Sequence, residues 1–283
     1  MKQQHSTAFH CRPREATRLS ELTEPIRSRR KRFWRMNGPH YLRSPDSILT
    51  EVGVGDVLKV SNLEVSSQSR TILENVSFSL KKGSTLAIVG PNGGGKTTLF
   101  RALLNLVPYT GTIKWNEEEN AVRIGYVPQS LITTDLPISV EEFLAFKCKG
   151  DFVSCLSSVD LERKILKQRL GSLSGGELQR VLISWAIVDN PNVLLFDEPT
   201  SGVDIGAEEP IYTKVNQLKQ NLSVTILLIS HNMHVVMHYS DYVLALNKKP
   251  LFFGEASSIS HSKLLSIIYG ENFALSEHEK FLE

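Results

Sequence analysis

From residue 57 onward the chain alternates between apolar and polar positions. Val57-Leu-Lys-Val-Ser-Asn-Leu-Glu-Val65 and Thr71-Ile-Leu-Glu-Asn-Val-Ser-Phe-Ser-Leu80 have this pattern, which is the period of half-buried strands. Lys82-Gly83 makes a turn, and Ser84-Thr-Leu-Ala-Ile-Val89 follows as a continuous apolar run, which predicts a strand buried on both faces. A glycine-rich loop then leads into the helical pattern Thr97-Thr-Leu-Phe-Arg-Ala-Leu-Leu104. From about 130 to 172 the chain is polar and helical, with Val140-Glu-Glu-Phe-Leu-Ala-Phe146 its clearest amphipathic stretch. That region lies between two motif-bearing segments and predicts an inserted helical subdomain. Asn192-Val-Leu-Leu-Phe196 and Ser223-Val-Thr-Ile-Leu-Leu-Ile229 are two further buried-strand runs, each followed by a helix. Strands alternating with helices imply an α/β architecture with a parallel sheet covered on both faces. Residues 251–283 read as a helical tail.

Residues 1–55 differ from this. They hold Pro13, Pro25, Pro39, Pro45 and the basic run Arg27-Ser-Arg-Arg-Lys-Arg-Phe-Trp-Arg35, with neither period 2 nor period 3.6. The composition is that of a solvated, disordered extension, and Met36 stands close before the patterned part. The basic run also suits anionic lipid headgroups, whereas Glu15, Glu21 and Glu24 break the acid-poor pattern of a transit peptide.

The formal net charge of +2 conceals this asymmetry: residues 1–43 carry 11 Lys/Arg against 3 Glu, or +8, leaving −6 for the rest. The patterned body is mildly acidic and gives no reason to expect a nucleic-acid partner. Three cysteines, Cys11, Cys148 and Cys155, form no Cys-x-x-Cys pair, which argues against a disulfide framework or a structural zinc site. No run reaches the ~18 apolar residues of a membrane span, and the N-terminus lacks the apolar core of a secretory signal. A role at a membrane would then run from the cytoplasmic side through a partner.

The chemistry lies in two segments. Gly90-Pro-Asn-Gly-Gly-Gly-Lys-Thr97 matches the P-loop pattern between a buried strand and a helix. Glycines let successive backbone N–H groups turn inward onto phosphate oxygens, and the following helix adds its positive end. Lys96 reaches the terminal phosphates and Thr97, with Thr98 behind it, supplies a hydroxyl to Mg²⁺. About a hundred residues on, Val193-Leu-Leu-Phe-Asp-Glu198 ends an apolar strand in two acids, at the sheet edge where ligands bind in open α/β sheets. Asp197 is suited to hold Mg²⁺ through water, and Glu198 to orient and polarise the attacking water, since phosphoryl transfer mainly needs positioning and charge neutralisation.

Leu173-Ser-Gly-Gly-Glu-Leu-Gln-Arg180 resembles the signature motif of the ABC ATPase superfamily. Physically, Ser174 opens a helix whose N-terminal N–H groups, with Gly175 and Gly176 permitting close approach, form a second anion site. The resemblance implies a fold of P-loop NTPase type: a mostly parallel sheet, an N-terminal antiparallel β subdomain and the inserted helical subdomain. It implies that two chains pack head to tail, each signature motif closing on the γ-phosphate held by the other's P-loop. It also implies roles for Gln129 in Tyr126-Val-Pro-Gln129, touching Mg²⁺ or water and relaying motion to the helical subdomain. Asp204 in Ser201-Gly-Val-Asp204 would cross the dimer interface, and His231 in Leu228-Ile-Ser-His231 would contact the γ-phosphate. These motifs run from about 57 to 250 in the family's order. One position departs from the family: the aromatic residue that stacks on adenine is replaced by Ser67, and no Tyr, Phe or Trp lies between 57 and 77.

With one ATPase unit, no span and no long heptad arms, the chain is similar to importer-type subunits that bind separate membrane proteins. Gly90 to Thr98, Thr134-Asp-Leu-Pro-Ile-Ser-Val140, Ser230-His-Asn-Met-His-Val-Val-Met237 and Asp241-Tyr-Val-Leu-Ala-Leu-Asn247 most resemble the ATPases of zinc importers and their manganese and iron relatives. The implied partners are a second copy, a membrane permease dimer and, through it, an extracytoplasmic metal-binding protein. The implied place is the cytoplasmic face of the inner membrane. A soluble ABC scaffold of the iron–sulfur assembly type would share every catalytic motif. His234 and His238 stand at i and i+4, a spacing able to hold Zn²⁺ but without an evident third ligand. The stripe around Phe143 and Phe146 reads as core packing, while in the family this subdomain also forms a groove for the permease's coupling helix.

Overall fold

The alternating runs form two long strands, β1 (Asp56–Ser67) and β2 (Arg70–Lys81), paired antiparallel as a hairpin. In the computed structural model, residues 55–68, 70–116, 121–129, 137–147, 152–201 and 208–270 are described, all within the unit Glu51–Glu283. The basic N-terminal run, Cys11, Cys148, Asp204 and the segment 130–136 lie outside the described residues. A third strand, β4 (Thr110–Trp115), pairs antiparallel with β1, giving a three-stranded sheet in the order β2-β1-β4.

The continuous apolar runs become β3 (Thr85–Val89), β6 (Val193–Asp197) and β7 (Thr225–Ile229), every residue of which is buried. With β5 (Ile124–Val127), β8 (Tyr242–Asn247) and β9 (Lys249–Glu255) they form a six-stranded sheet in the order β5-β6-β7-β3-β8-β9. All pairs are parallel except β8 with β9. The helices are α1 (Lys96–Leu103), α2 (Val140–Ala145), α3 (Phe152–Ser157), α4 (Gly175–Ile187), α5 (Glu208–Leu222), α6 (Met233–Tyr239) and α7 (His261–Tyr269).

Alternation along each central strand assigns the two faces. Leu86, Ile88, Val193, Leu195, Leu227 and Ile229 share a core with α1 and the antiparallel sheet. Leu194, Phe196, Ile226 and Leu228 face α4, α5 and the inserted helices, and Ala87 and Val89 pack with α6 and α7. The insertion is tied to the rest by its own apolar side, where Val140, Leu144, Leu156 and Ile165 meet Val181, Leu182 and Ile183 of α4. Phe143 stacks on Trp185 with ring centroids 5.5 Å apart. Phe146 does not follow it into the core: it is 75% exposed, so packing accounts for the first phenylalanine and not the second.

The C-terminal segment also departs from expectation. Residues 251–255 belong to β9 rather than to a helical tail, because Lys248 turns the chain at φ 61° and lets 249–255 pair back on β8. Helix resumes at His261, and its Leu264, Leu265 and Ile268 join the core beside Val89 and Val243. The folded unit therefore runs past 250, to Tyr269 among the described residues.

Candidate functional site

Register brings the chemistry to one edge of the sheet. Ile88 pairs with Ile229, and Ile229 with Asp197, so the loops leaving β3, β6 and β7 emerge side by side. They carry the glycine loop, Glu198 and His231 respectively.

The glycine loop is shaped by its neighbours. A Cβ on Gly90, at φ 148°, would lie 1.9 Å from the Leu246 carbonyl oxygen. One on Gly95, at φ 96°, would lie 2.5 Å from Leu73 Cδ2, so β8 and β2 press on the loop from both sides and no larger residue fits. The Lys248 amide donates to the Gly94 carbonyl at 2.8 Å, and the Glu74 amide to the Lys248 carbonyl at 2.8 Å, bracing the loop against both strands. Asn92 and Gly93 stay exposed at the tip and Pro91 half-buried. Lys96 is 5% exposed, its ammonium donating to the carbonyls of Gly90 at 2.9 Å and Pro91 at 3.1 Å. Burial pushes its pKa down, opposed by the charges of Glu198 and Asp197. The cradle thus holds a poised cation with backbone groups folded around it.

Asp197 is 1% exposed and has both carboxylate oxygens engaged. Thr97 Oγ1 donates to Oδ1 at 3.2 Å, and the Tyr126 hydroxyl to Oδ2 at 3.3 Å. Burial raises the Asp197 pKa, these two hydrogen bonds oppose the rise, and the neighbouring Glu198 charge adds to it. Tyr126 is pushed up to about 12, by burial first and then by the Asp197 charge. Thr97 and Asp197 together present hard oxygen donors, which fit Mg²⁺, an ion that commonly takes one or two protein ligands plus phosphate oxygens and water.

Glu198 sits at φ 49°, a left-handed conformation uncommon for its residue type, with its amide bonded to the Ile229 carbonyl at 3.1 Å. Its carboxylate bridges two side chains: Gln129 Nε2 donates at 2.6 Å, and His231 Nε2 lies at 2.9 Å. Gln129, Glu198 and His231, up to 102 positions apart in sequence, form one cluster beside Asp197 and Thr97.

The signature segment stands apart from this cluster. Ser174 caps α4 in a reciprocal box with Glu177: the Glu177 amide donates to Ser174 Oγ at 3.3 Å and the Ser174 amide to Glu177 Oε2 at 3.0 Å. Gly175 is exposed, and a Cβ on Gly176 would meet nothing within 4 Å, so no packing contact among the described residues calls for glycine there. Ser67 is exposed at the β1–β2 hairpin opposite Arg70. His234 and His238 stack with centroids 4.5 Å apart, and among the described residues no group of three or more His, Cys, Asp or Glu could hold a metal ion.

Sequence reasoning missed Tyr126 and the Asn247–Lys249 turn. Tyr126 looks like core in the run Ile124-Gly-Tyr-Val127; its place at the C-terminal end of a strand adjoining β6 was the available signal.

Comparison with known proteins places these features in context. The family model described as ABC transporter matches residues 73–201. The zinc import ATP-binding protein ZnuC of Pasteurella multocida is 38% identical over 227 residues, covering 77% of this chain and 83% of that protein. The protein of the same name from Photorhabdus laumondii is 36% identical over 79% of this chain and 89% of its own length. Among solved structures, an inward-facing ABC transporter described as of metal-chelate type is 28% identical, with TM-score 0.67 over 76% of this chain and 89% of its own. A dimeric bacterial ABC transporter cassette shares the fold at 24% identity and TM-score 0.58, over 70% of this chain and 98% of its own.

Proposed function

The chain belongs to the ABC transporter ATPase family, and on that premise we propose that it powers uptake of a divalent metal ion, zinc before manganese or iron, through a separate membrane permease. The observation that carries the substrate is the likeness to zinc import ATP-binding proteins at 36–38% identity over more than three quarters of the chain.

The chain binds and hydrolyses ATP, as its family does. In our reading Gly90 to Thr98 cradle the phosphates, with Lys96 exchanging the carbonyls of Gly90 and Pro91 for phosphate oxygens. Thr97, Asp197 and Gln129 would hold the Mg²⁺ of MgATP, which when bound neutralises phosphate charge. Glu198, held between Gln129 and His231, accepts a proton from the attacking water, and His231 contacts the γ-phosphate. Gly176 has open space where any side chain would fit, which supports close approach by something outside this chain. We read that as the nucleotide on a second copy, met by Ser174, Gly175 and Gly176, with Asp204 at the dimer interface. No helix of the described residues is long and apolar enough to cross a membrane. Phe146, 75% exposed on the inserted subdomain, supports docking against a permease at the cytoplasmic face of the inner membrane. An extracytoplasmic metal-binding protein would meet the assembly only through that permease.

Uptake of radiolabelled zinc and manganese by cells with and without this gene tests the substrate. Loss of zinc uptake is the expected result; loss of manganese uptake alone would change the cargo, and loss of neither would overturn the metal-import reading. Nucleotide selectivity is a second test. Base stacking contributes about 1–3 kcal/mol per base, and Ser67 offers no ring, so nucleotide should bind more weakly and with less base selectivity, ATP and GTP about equally. A strong ATP preference in competition titrations would show that another group reads the base.

A further inference from the structure

The loops bearing Glu198 and His231 are joined beneath the site by a buried hydroxyl. Tyr212 on α5 is 2% exposed. Its phenolic oxygen lies 3.1 Å from Thr200 Oγ1 and 3.3 Å from Ser230 Oγ. Thr200 is two residues after Glu198, and Ser230 directly precedes His231. Ser230 is 2% exposed, and its Oγ also accepts from the Asn232 amide at 3.1 Å, at the start of α6. The Tyr212 ring stacks on Tyr239 at the other end of that helix.

Packing alone asks only for the ring. A phenylalanine would fill the same space, and a buried hydroxyl is costly unless it is hydrogen-bonded. This hydroxyl spans the two loops whose side chains meet at 2.9 Å above it. Glu198 at φ 49° is in a conformation that persists only where its surroundings over-determine it. The bond from the Glu198 amide to the Ile229 carbonyl also ties the Glu198 loop to the strand that leads into His231.

We propose that Tyr212 is a positioning residue for hydrolysis, its hydroxyl linking Thr200 and Ser230 so that Glu198 and His231 keep their separation. The inference rests on the roles given above to Glu198 and His231. Tyr212 is buried at 2% exposure and its hydroxyl lies against Thr200 and Ser230, so loss of that hydroxyl should misplace the pair without weakening substrate binding.

The test is a cycle of Tyr212→Phe and Thr200→Val, with Thr200→Ser retaining the hydroxyl and Glu198→Gln as reference. Tyr212→Phe should lower kcat about tenfold with KM for ATP within about twofold, the pattern of lost transition-state positioning. Thr200→Val should do the same, the double variant should be no worse than either single, and Thr200→Ser should stay near the parent. Two results would overturn the proposal: full kcat in Tyr212→Phe where Glu198→Gln is inactive, or losses that multiply in the double variant. Normal hydrolysis by Glu198→Gln would instead bring down the reading of the site, and this inference with it.

Discussion

Glu198→Gln should bind ATP, all but stop hydrolysing it and accumulate as a closed dimer. Its carboxylate accepts from Gln129 Nε2 at 2.6 Å and approaches His231 Nε2 at 2.9 Å, and an amide of the same size can keep both contacts. What it loses is the negative charge and the capacity to take a proton. A positioned acid or base is worth about 10²- to 10⁴-fold in rate, and the fall in turnover should lie in that range. Binding should hold or improve, since a carboxylate beside the triphosphate repels it and the amide does not. With hydrolysis blocked, nothing opens the two-chain sandwich, so gel filtration with MgATP should show the variant at twice the monomer mass. Turnover within about tenfold of the parent would remove Glu198 from its role. A variant that stays monomeric with ATP would leave that role standing and count against the dimer.

What could be read from sequence was local and contiguous. The glycine loop declares itself in eight residues between an all-buried strand and a helix, and of the two acids Asp197 ends an all-buried strand and Glu198 follows it. Their meeting needed only the general rule that parallel strands deliver ligand groups to one edge. The failures were of another kind. Phe143 and Phe146 have the same pattern, yet one stacks on Trp185 and the other is 75% exposed; helical period alone does not say which side of an apolar stripe has a neighbour. Leu251-Phe-Phe253 became strand because β8 was there to pair with, a tertiary effect on a short apolar run.

Tyrosines show the limit most clearly. Tyr126 and Tyr212 sit in apolar patterns that predict core, and their rings satisfy that prediction. Their hydroxyls find partners 71 positions away at Asp197, and 12 and 18 away at Thr200 and Ser230. Gly176 shows the reverse. Its sequence context called for close approach, while among the described residues outside its own helix nothing lies within 4 Å of its Cβ position. In the function proposed above, a second copy fills that space.

Lys96→Ala should abolish useful nucleotide binding. Lys96 is 5% exposed and its ammonium is held by the carbonyls of Gly90 and Pro91, two groups whose attraction is far weaker than that of a triphosphate. In the proposed site, exchanging them for phosphate oxygens would give the lysine its affinity. Hydrogen bonds to charged groups contribute roughly 1.5–3 kcal/mol, which converts to a dissociation constant about 10- to 150-fold weaker. The same substitution takes the ammonium from the buried Gly90 carbonyl, while the Pro91 carbonyl keeps the Gly94 amide at 3.0 Å, and it leaves an unfilled space under the loop. Lys96→Met keeps most of the volume and separates the two effects. If both variants lose affinity alike in titrations with a fluorescent nucleotide, the charge is the cause. If methionine restores affinity to within about threefold of the parent, the lysine serves to shape the loop, and phosphate binding must rest on the backbone amides and the α1 terminus alone.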